Sequence, residues 1–248
     1  HVPLSHYLGA VGMPGVTAWY GLVKIINPKA GETVVVSAAT GAVGSAFGAL
    51  AKARGCRAVG IAGGPDKCAY AVNELGFDAC IDYKQHKDMY SLAKALKEAC
   101  PNGIDGYFEN VGGMILDAVL LRANAFSRVA MCGMISGYNG EPIPRAAPQL
   151  ILVNRMKVQG FIVSEHMQHW PAALAELGQG IASGKHAASL SAGPVLAAGD
   201  RAHGEYLAAE CTACHQTSGR QQGGIPAIIV GGGGRADRQH GACVVVGR

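Results

Sequence analysis

The sequence predicts an α/β fold built on a doubly wound parallel sheet, and three observations carry that prediction. Short apolar, β-branched runs alternate with helix-period segments from residue 32 to about residue 185. The first of these runs, Thr33–Ser37, passes without a gap into a glycine turn and then a helical pattern. Beyond Lys185 the alternation stops, so the α/β unit ends there.

A leading helix is expected over Val16–Ile26, closed by Pro28 and the Lys29-Ala30-Gly31 turn. Strands are expected at Thr33–Ser37, Arg57–Ala62, Ala79–Asp82, Gly106–Glu109, Arg128–Cys132 and Val158–Val163. Helices are expected at Gly41–Arg54, Asp66–Leu75, Met89–Cys100, Gly113–Leu121 and His169–Ala182. Right-handed crossovers then place the first glycine turn at the carboxyl edge of the sheet, where such folds bind ligands. Residues 187–199 are rich in Ala, Ser, Gly and Pro and read as a linker, which divides the chain into 1–186, 187–199 and 200–248.

The glycine turn reads Ala38-x-x-Gly41-x-x-Gly44, with Ala39 where a G-x-G-x-x-G pattern has its first glycine. Glycines there let the backbone turn sharply and let a pyrophosphate approach the N–H groups of the helix that follows. The same residues also suit an ordinary strand-to-helix turn; the strand–turn–helix context favours dinucleotide binding. About 20 residues on, an NAD site places an acid for the ribose 2′-hydroxyl. Here the second strand ends in Ala62-Gly63-Gly64-Pro65-Asp66-Lys67, with no carboxylate at its tip. The Lys67 ammonium would pair with a 2′-phosphate, whereas a merely solvated lysine would sit poorly in a first helical turn. Asp66 is read as a helix cap. The balance points to NADP.

Composition narrows the function classes. Hydrophobic residues make up 49% and charged residues 15%, which excludes wholesale disorder. The net charge of +4 is spread along the chain and leaves no nucleic-acid footprint. No apolar run approaches the ~18 residues of a membrane span. Six of the eight cysteines (Cys56, Cys68, Cys80, Cys100, Cys132 and Cys243) are widely spaced, as buried or free thiols of a reducing compartment would be. The chain starts at His1, which reads as a fragment.

Several motifs, in order, resemble the nucleotide-binding portion of zinc-independent medium-chain dehydrogenase/reductases. They are Gly12-Met13-Pro14-Gly15-Val16-Thr17-Ala18, Ala38–Gly44, Gly63-Gly64-Pro65-Asp66-Lys67-Cys68 and Asp82-Tyr83-Lys84. Glu109-Asn110-Val111-Gly112-Gly113, Cys132–Asn139 and Gly160-Phe161-Ile162-Val163 complete the set. The branch they resemble is the prostaglandin/leukotriene reductase and bacterial curcumin-reductase group of NADPH-dependent alkene reductases, and the resemblance covers residues 1–186. It implies a Rossmann domain that reduces the C=C bond of α,β-unsaturated ketones or aldehydes, with an N-terminal substrate domain missing from this chain.

By that resemblance, Thr40, Gly41, Ala42, Val43 and Gly44 surround the pyrophosphate, and Lys67 and Tyr83 hold the 2′-phosphate. Asn110 contacts the cofactor near its ribose, and Cys132 and Met134 line the nicotinamide. Tyr138 lies near the substrate carbonyl as the catalytic candidate. Each residue also has a structural alternative: Tyr83 as a strand-end tyrosine, Asn110 as a helix cap, Tyr138 as a loop aromatic. The branch implies no metal within residues 1–186, a small-molecule enone or enal as partner, and a cytoplasmic location. A homodimer is left open.

The tail carries a different signature. Cys211-Thr212-Ala213-Cys214-His215 fits C-x-x-C-H, in which two thiols add to haem vinyl groups and the histidine binds the iron. With Gly199–Leu207 before it and Gly224–Ile228 after it, the segment resembles a truncated class I cytochrome c. No Met follows Met167, so a Met/His haem cannot form within this tail, and stably held haem c is not expected. A stray thiol pair and a zinc half-site are the alternatives. Haem attachment outside the bacterial inner membrane conflicts with cytoplasmic NADPH chemistry, and a natural fusion or a frameshifted reading frame would each account for the pairing. Gly231–Ala236 also fits G-x-G-x-x-A, but no helical face follows, so a flexible loop is expected there.

Overall fold

A computed structural model of the chain describes residues 4–137 and 148–183. The expectations placed on Tyr138, on the linker and on the tail, including Cys211, Cys214 and His215, lie outside the described residues.

Helix α1 (Met13–Tyr20) leads, and a π-helical turn, Gly21–Ile26, extends it. It begins three residues earlier than expected, because Pro14 suits a helix's first turn. It widens at Gly21, where a side chain would run into the Phe108 ring, and it ends on Asn27 at φ 44°. Strand β1 (Thr33–Ser37) feeds α2 (Ala42–Ala53), and β2 (Arg57–Ala62) feeds α3 (Pro65–Asn73). Strand β3 (Ala79–Asp82) enters a 3-10 turn at Tyr83–Gln85 and then α4 (Met89–Ala99). Strand β4 (Ile104–Glu109), α5 (Gly113–Leu120) and β5 (Ala123–Met131) follow. After α6 (Pro148–Val153) and β6 (Lys157–Gly160), a 3-10 segment, Val163–His169, leads into α7 (Trp170–Ala182).

The first three strands match their expected limits, while three later elements differ for physical reasons. β5 starts five residues earlier than its apolar run, because Ala123–Ser127 is mixed in polarity and its ladder is interrupted by a register shift between Ile104 and Gly106. β6 is a mostly exposed edge strand, so Phe161 and Ile162 leave the sheet instead of extending it. α6 was not expected at all: Leu150-Ile151-Leu152-Val153 is too short a run for its period to show. Asp66 stands inside the first turn of α3, not at its cap; Gly64 is the cap, and the Asp66 carboxylate favours the helix dipole instead.

All strands run parallel in the order β3-β2-β1-β4-β5-β6. β1 and β4 are therefore neighbours, and the chain winds outward from them in both directions. This junction is the topological switch point of the doubly wound fold. Successive β1 residues face opposite sides, so Val34 and Val36 join one core and Val35 the other. The first core packs α1, α2 and α7 against the sheet through Phe47, Phe108, Leu22 and Leu177. The second packs α4 and α5 through Leu92, Leu96, Ile115 and Val119.

Glu176 on α7 joins three helices, accepting from Trp19 Nε1 of α1 at 2.6 Å and pairing with Arg54 at the end of α2 at 2.5 Å. Arg128 of β5 pairs with Glu32 at 2.5 Å and donates to the Ile26 carbonyl at 2.7 Å. The described cysteines, Cys56, Cys68, Cys80, Cys100 and Cys132, are free thiols, and burial pushes the Cys100 thiol up to about 11. Among the described residues no helix is long and apolar enough to cross a membrane.

Gly106 lets β4 pass beneath the π-helical turn: a Cβ there would collide with the Ile26 side chain and lie 3.1 Å from Val34 Cγ1. Gly106→Ala is expected to destabilise the fold by about 1–3 kcal/mol through overpacking, read as a lower urea midpoint. An unchanged midpoint would show that Ile26 can move aside.

Candidate functional site

The carboxyl ends of β1, β2, β3, β4 and β5 carry every predicted site residue that the structure describes. Ala38 sits at φ +54° and reverses the chain just past β1, with the Gly41 N–H donating to the Ala38 carbonyl at 2.9 Å. Thr40 and Gly41 form the turn, and Ala42, Val43 and Gly44 open α2. Gly41 is the N-cap and supplies no side-chain cap to the first N–H groups, which in any helix lack intrahelical partners. A Cβ on Gly44 would collide with the Ala38 carbonyl, so glycine is needed to bring α2 this close to the turn.

At the tip of β2, Gly64 adopts φ +107° and donates its N–H to Asp82 Oδ1 at 2.8 Å. The space a Gly63 side chain would take is bounded by Tyr83 Cε1 and Lys84 Cε, each 3.0 Å from that point. Tyr83 therefore packs against Gly63, and Lys84 joins it. Lys67 is exposed in the first turn of α3, three residues past Gly64. Hydrogen bonds from Gly64, Gln85 and Lys84 outweigh partial desolvation and hold the Asp82 carboxyl below its ordinary range.

The switch point itself holds a buried carboxylate. Glu109, the last residue of β4, is fully buried. Its Oε1 accepts from Ser37 Oγ at 2.8 Å and from the Val111 N–H at 2.5 Å, and its Oε2 accepts from Tyr107 Oη at 2.9 Å. The Gly112 N–H also donates to this carboxylate. Burial still pushes the Glu109 carboxyl above its ordinary value despite these donors. Burial and the neighbouring Glu109 charge push the Tyr107 phenol well up.

Asn110 is set by the same group. Its N–H donates to Ser37 Oγ and its Nδ2 to the Ser37 carbonyl, both at 2.8 Å. Gly112, not Asn110, is the N-cap of α5, so the side-chain amide ties β4 to β1 instead of capping. The loop bearing Cys132 and Met134 hangs on this segment. The N–H groups of Cys132 and Gly133 donate to the Glu109 carbonyl at 2.9 and 3.1 Å, and that of Ile135 to the Asn110 carbonyl at 3.1 Å. Ser136 donates to the Val111 carbonyl through both its N–H, at 3.0 Å, and its Oγ, at 2.5 Å. At Gly112, φ +80°, a side chain would lie 3.3 Å from Met134 Cε and Ser136 Oγ.

Sequence reasoning assigned no role to Ser37, Tyr107, Glu109, Asp82 or Lys84. The signal for Glu109 was legible: an acid that directly follows the apolar run Gly106-Tyr107-Phe108 must find donors if that strand is central. Among the described residues no three His, Cys, Asp or Glu side chains gather as a metal site.

The fold has known counterparts. Residues 42–179 match the family profile described as "Zinc-binding dehydrogenase". The NADPH-dependent curcumin reductase of Escherichia coli (strain K12) is 47% identical over 171 residues, which are 66% of this chain and 48% of that protein. A 2-alkenal reductase (NADP(+)-dependent) from Nicotiana tabacum is 45% identical over 185 residues, 74% of this chain and 53% of its own. The crystal structure of CurA in complex with NADPH from Vibrio vulnificus superposes with a TM-score of 0.67 at 46% identity, covering 73% of this chain and 55% of that one. The chain thus spans about half the length of the curated relatives it matches. With the family profile matched over more than half of its residues, this chain belongs to the zinc-binding dehydrogenase family.

Proposed function

We propose that this chain is the nucleotide-binding part of an NADPH-dependent oxidoreductase that reduces the C=C bond of α,β-unsaturated ketones or aldehydes. The observation that carries the cofactor half is the strand-tip chemistry. β2 ends in glycines, Lys67 and Tyr83 stand at that end, and the nearby Asp82 is occupied by backbone donors. An acid free to bind a ribose diol would favour NADH; lysine and phenol around two glycines favour a phosphate. The reductase half rests on relatives whose names specify curcumin and 2-alkenals as substrates.

The residues present fit a dinucleotide. Thr40, Gly41, Ala42, Val43 and Gly44 would surround its pyrophosphate with the N–H groups that open α2. Asn110, held rigidly against Ser37, would meet it near the ribose, and Cys132 and Met134 would flank the nicotinamide. When bound, NADPH supplies the hydride for the β-carbon of the unsaturated substrate. Tyr138 would donate a hydrogen bond to the carbonyl oxygen as negative charge develops there. No step is assigned to a metal. The same reading assigns the enzyme to the cytoplasm.

The C-x-x-C-H spacing of Cys211, Cys214 and His215 favours a second, finer reading, in which the tail resembles a cytochrome c segment but holds no working haem. Expression with a cytochrome maturation system should give no covalent haem stain. A stoichiometric stain with reversible reduction would establish an electron-transfer module instead.

Titration by nicotinamide fluorescence should show NADPH bound more tightly than NADH. Lys67→Ala should weaken NADPH about tenfold, as expected for one lost charge-assisted hydrogen bond, and less so at high salt. Equal affinity for the two cofactors would overturn the assignment. In the full-length protein, Tyr138→Phe should lower kcat for an enone by about 10²-fold. A full-length enzyme that oxidises alcohols and leaves enones untouched would refute the reductase reading.

A further inference from the structure

Lys84 reaches the tip of β2 from the 3-10 turn that follows the neighbouring strand β3. Its Cε and the Tyr83 ring both border the space left by the absent side chain of Gly63, with Tyr83 Oη 3.3 Å from where a Cβ would be. Lys84 is exposed, so its stem covers the glycine while its ammonium stays at the surface. Asp82 fixes this arrangement from below. It pairs with Ala62 in the sheet, and its Oδ1 accepts from the Gly64 N–H at 2.8 Å and the Lys84 N–H at 3.1 Å. Its Oδ2 accepts from Gln85 Nε2 at 3.2 Å. One carboxylate therefore fastens the glycine pair of β2 to the turn that carries Tyr83 and Lys84, and three donors occupy it while it does so.

We propose that Lys84 is a specificity-determining cation for the 2′-phosphate of the cofactor, and that Asp82 is the positioning residue that sets it over the strand tip. The proposal rests on the NADPH reading above. Asp82 has a second possible role that the geometry opposes: as a bare negative charge it would repel the phosphate. Truncating it separates the two roles by sign.

The test is titration of the wild type, Lys84→Ala, Asp82→Ala and Asp82→Asn with NADPH and with NADH, reading the ratio of the two dissociation constants. Lys84→Ala should weaken NADPH about tenfold, and reduce its salt dependence, while moving NADH by less than about twofold. Asp82→Ala should lower the ratio in the same sense. Asp82→Asn should keep it, because the amide oxygen can still accept from Gly64 and Lys84. A preference for NADPH that survives Lys84→Ala overturns this inference alone. Equal weakening of both cofactors by Asp82→Ala marks a purely structural residue, and tighter NADPH binding marks a repelling charge; either removes the positioning role. A wild type without preference for NADPH overturns both this inference and the reading beneath it.

Discussion

A carboxylate with no access to water holds the centre of this fold together. Glu109 ends β4 beside the end of β1, and its oxygens accept from Ser37, Tyr107, Val111 and Gly112. An isolated charge at such depth would be prohibitively costly, and leaving one of its buried acceptors without a donor would cost roughly 1–3 kcal/mol or more. Its donors must therefore stay in place, and they come from β1, from β4 and from the turn into α5. The cost of burying the charge becomes rigidity at the one edge of the sheet where the strand order reverses.

That rigidity passes outward through backbone hydrogen bonds. The Glu109, Asn110 and Val111 carbonyls accept from Cys132, Gly133, Ile135 and Ser136, so the loop after β5 takes its shape from the end of β4. A similar device works on the other side of the switch point, where Asp82 joins β2 to the turn after β3. Both devices place an acid at a strand end and spend its acceptors on neighbouring backbone. Neither acid is left free to meet a ligand, which suits a site whose expected ligand is itself anionic.

The sheet was legible in the sequence because its central strands are buried on both faces. Thr33–Ser37 and Arg57–Ala62 are short apolar runs bounded by turn residues, and little else suits such runs. The edge strand Ala79–Asp82 is half-buried and was found from its place in the βα alternation. Legibility fell toward the β6 edge, where burial no longer dictates residue type: β5 begins in mixed polarity and α6 is too short to show a period. Within the site, the glycine turn and Lys67 could be found because they lie along one stretch of chain. The Ser37–Glu109–Asn110 contacts join residues more than seventy positions apart. Sequence spacing cannot show that β1 and β4 are neighbours until the strand order is known. Asn110 is the clearest example: beside a coming helix it reads locally as a cap, and only the adjacency of β1 shows what its amide does.

The family name carries a zinc, but the groups gathered at the carboxyl edge of this sheet suit anions. Gly41, Gly44, Gly63, Gly64 and Gly112 withdraw side chains where α2, the β2 tip and α5 begin, so that the edge presents backbone N–H groups and lysines. The two acids that close β3 and β4, Asp82 and Glu109, have their acceptors taken up by neighbouring N–H and O–H groups. Such an edge suits the phosphorylated dinucleotide of the proposed function by shape and charge. On the proposed reading, the groups that would choose the cofactor, Lys67, Tyr83 and Lys84, all lie at the ends of neighbouring strands and need no other part of the fold to position them.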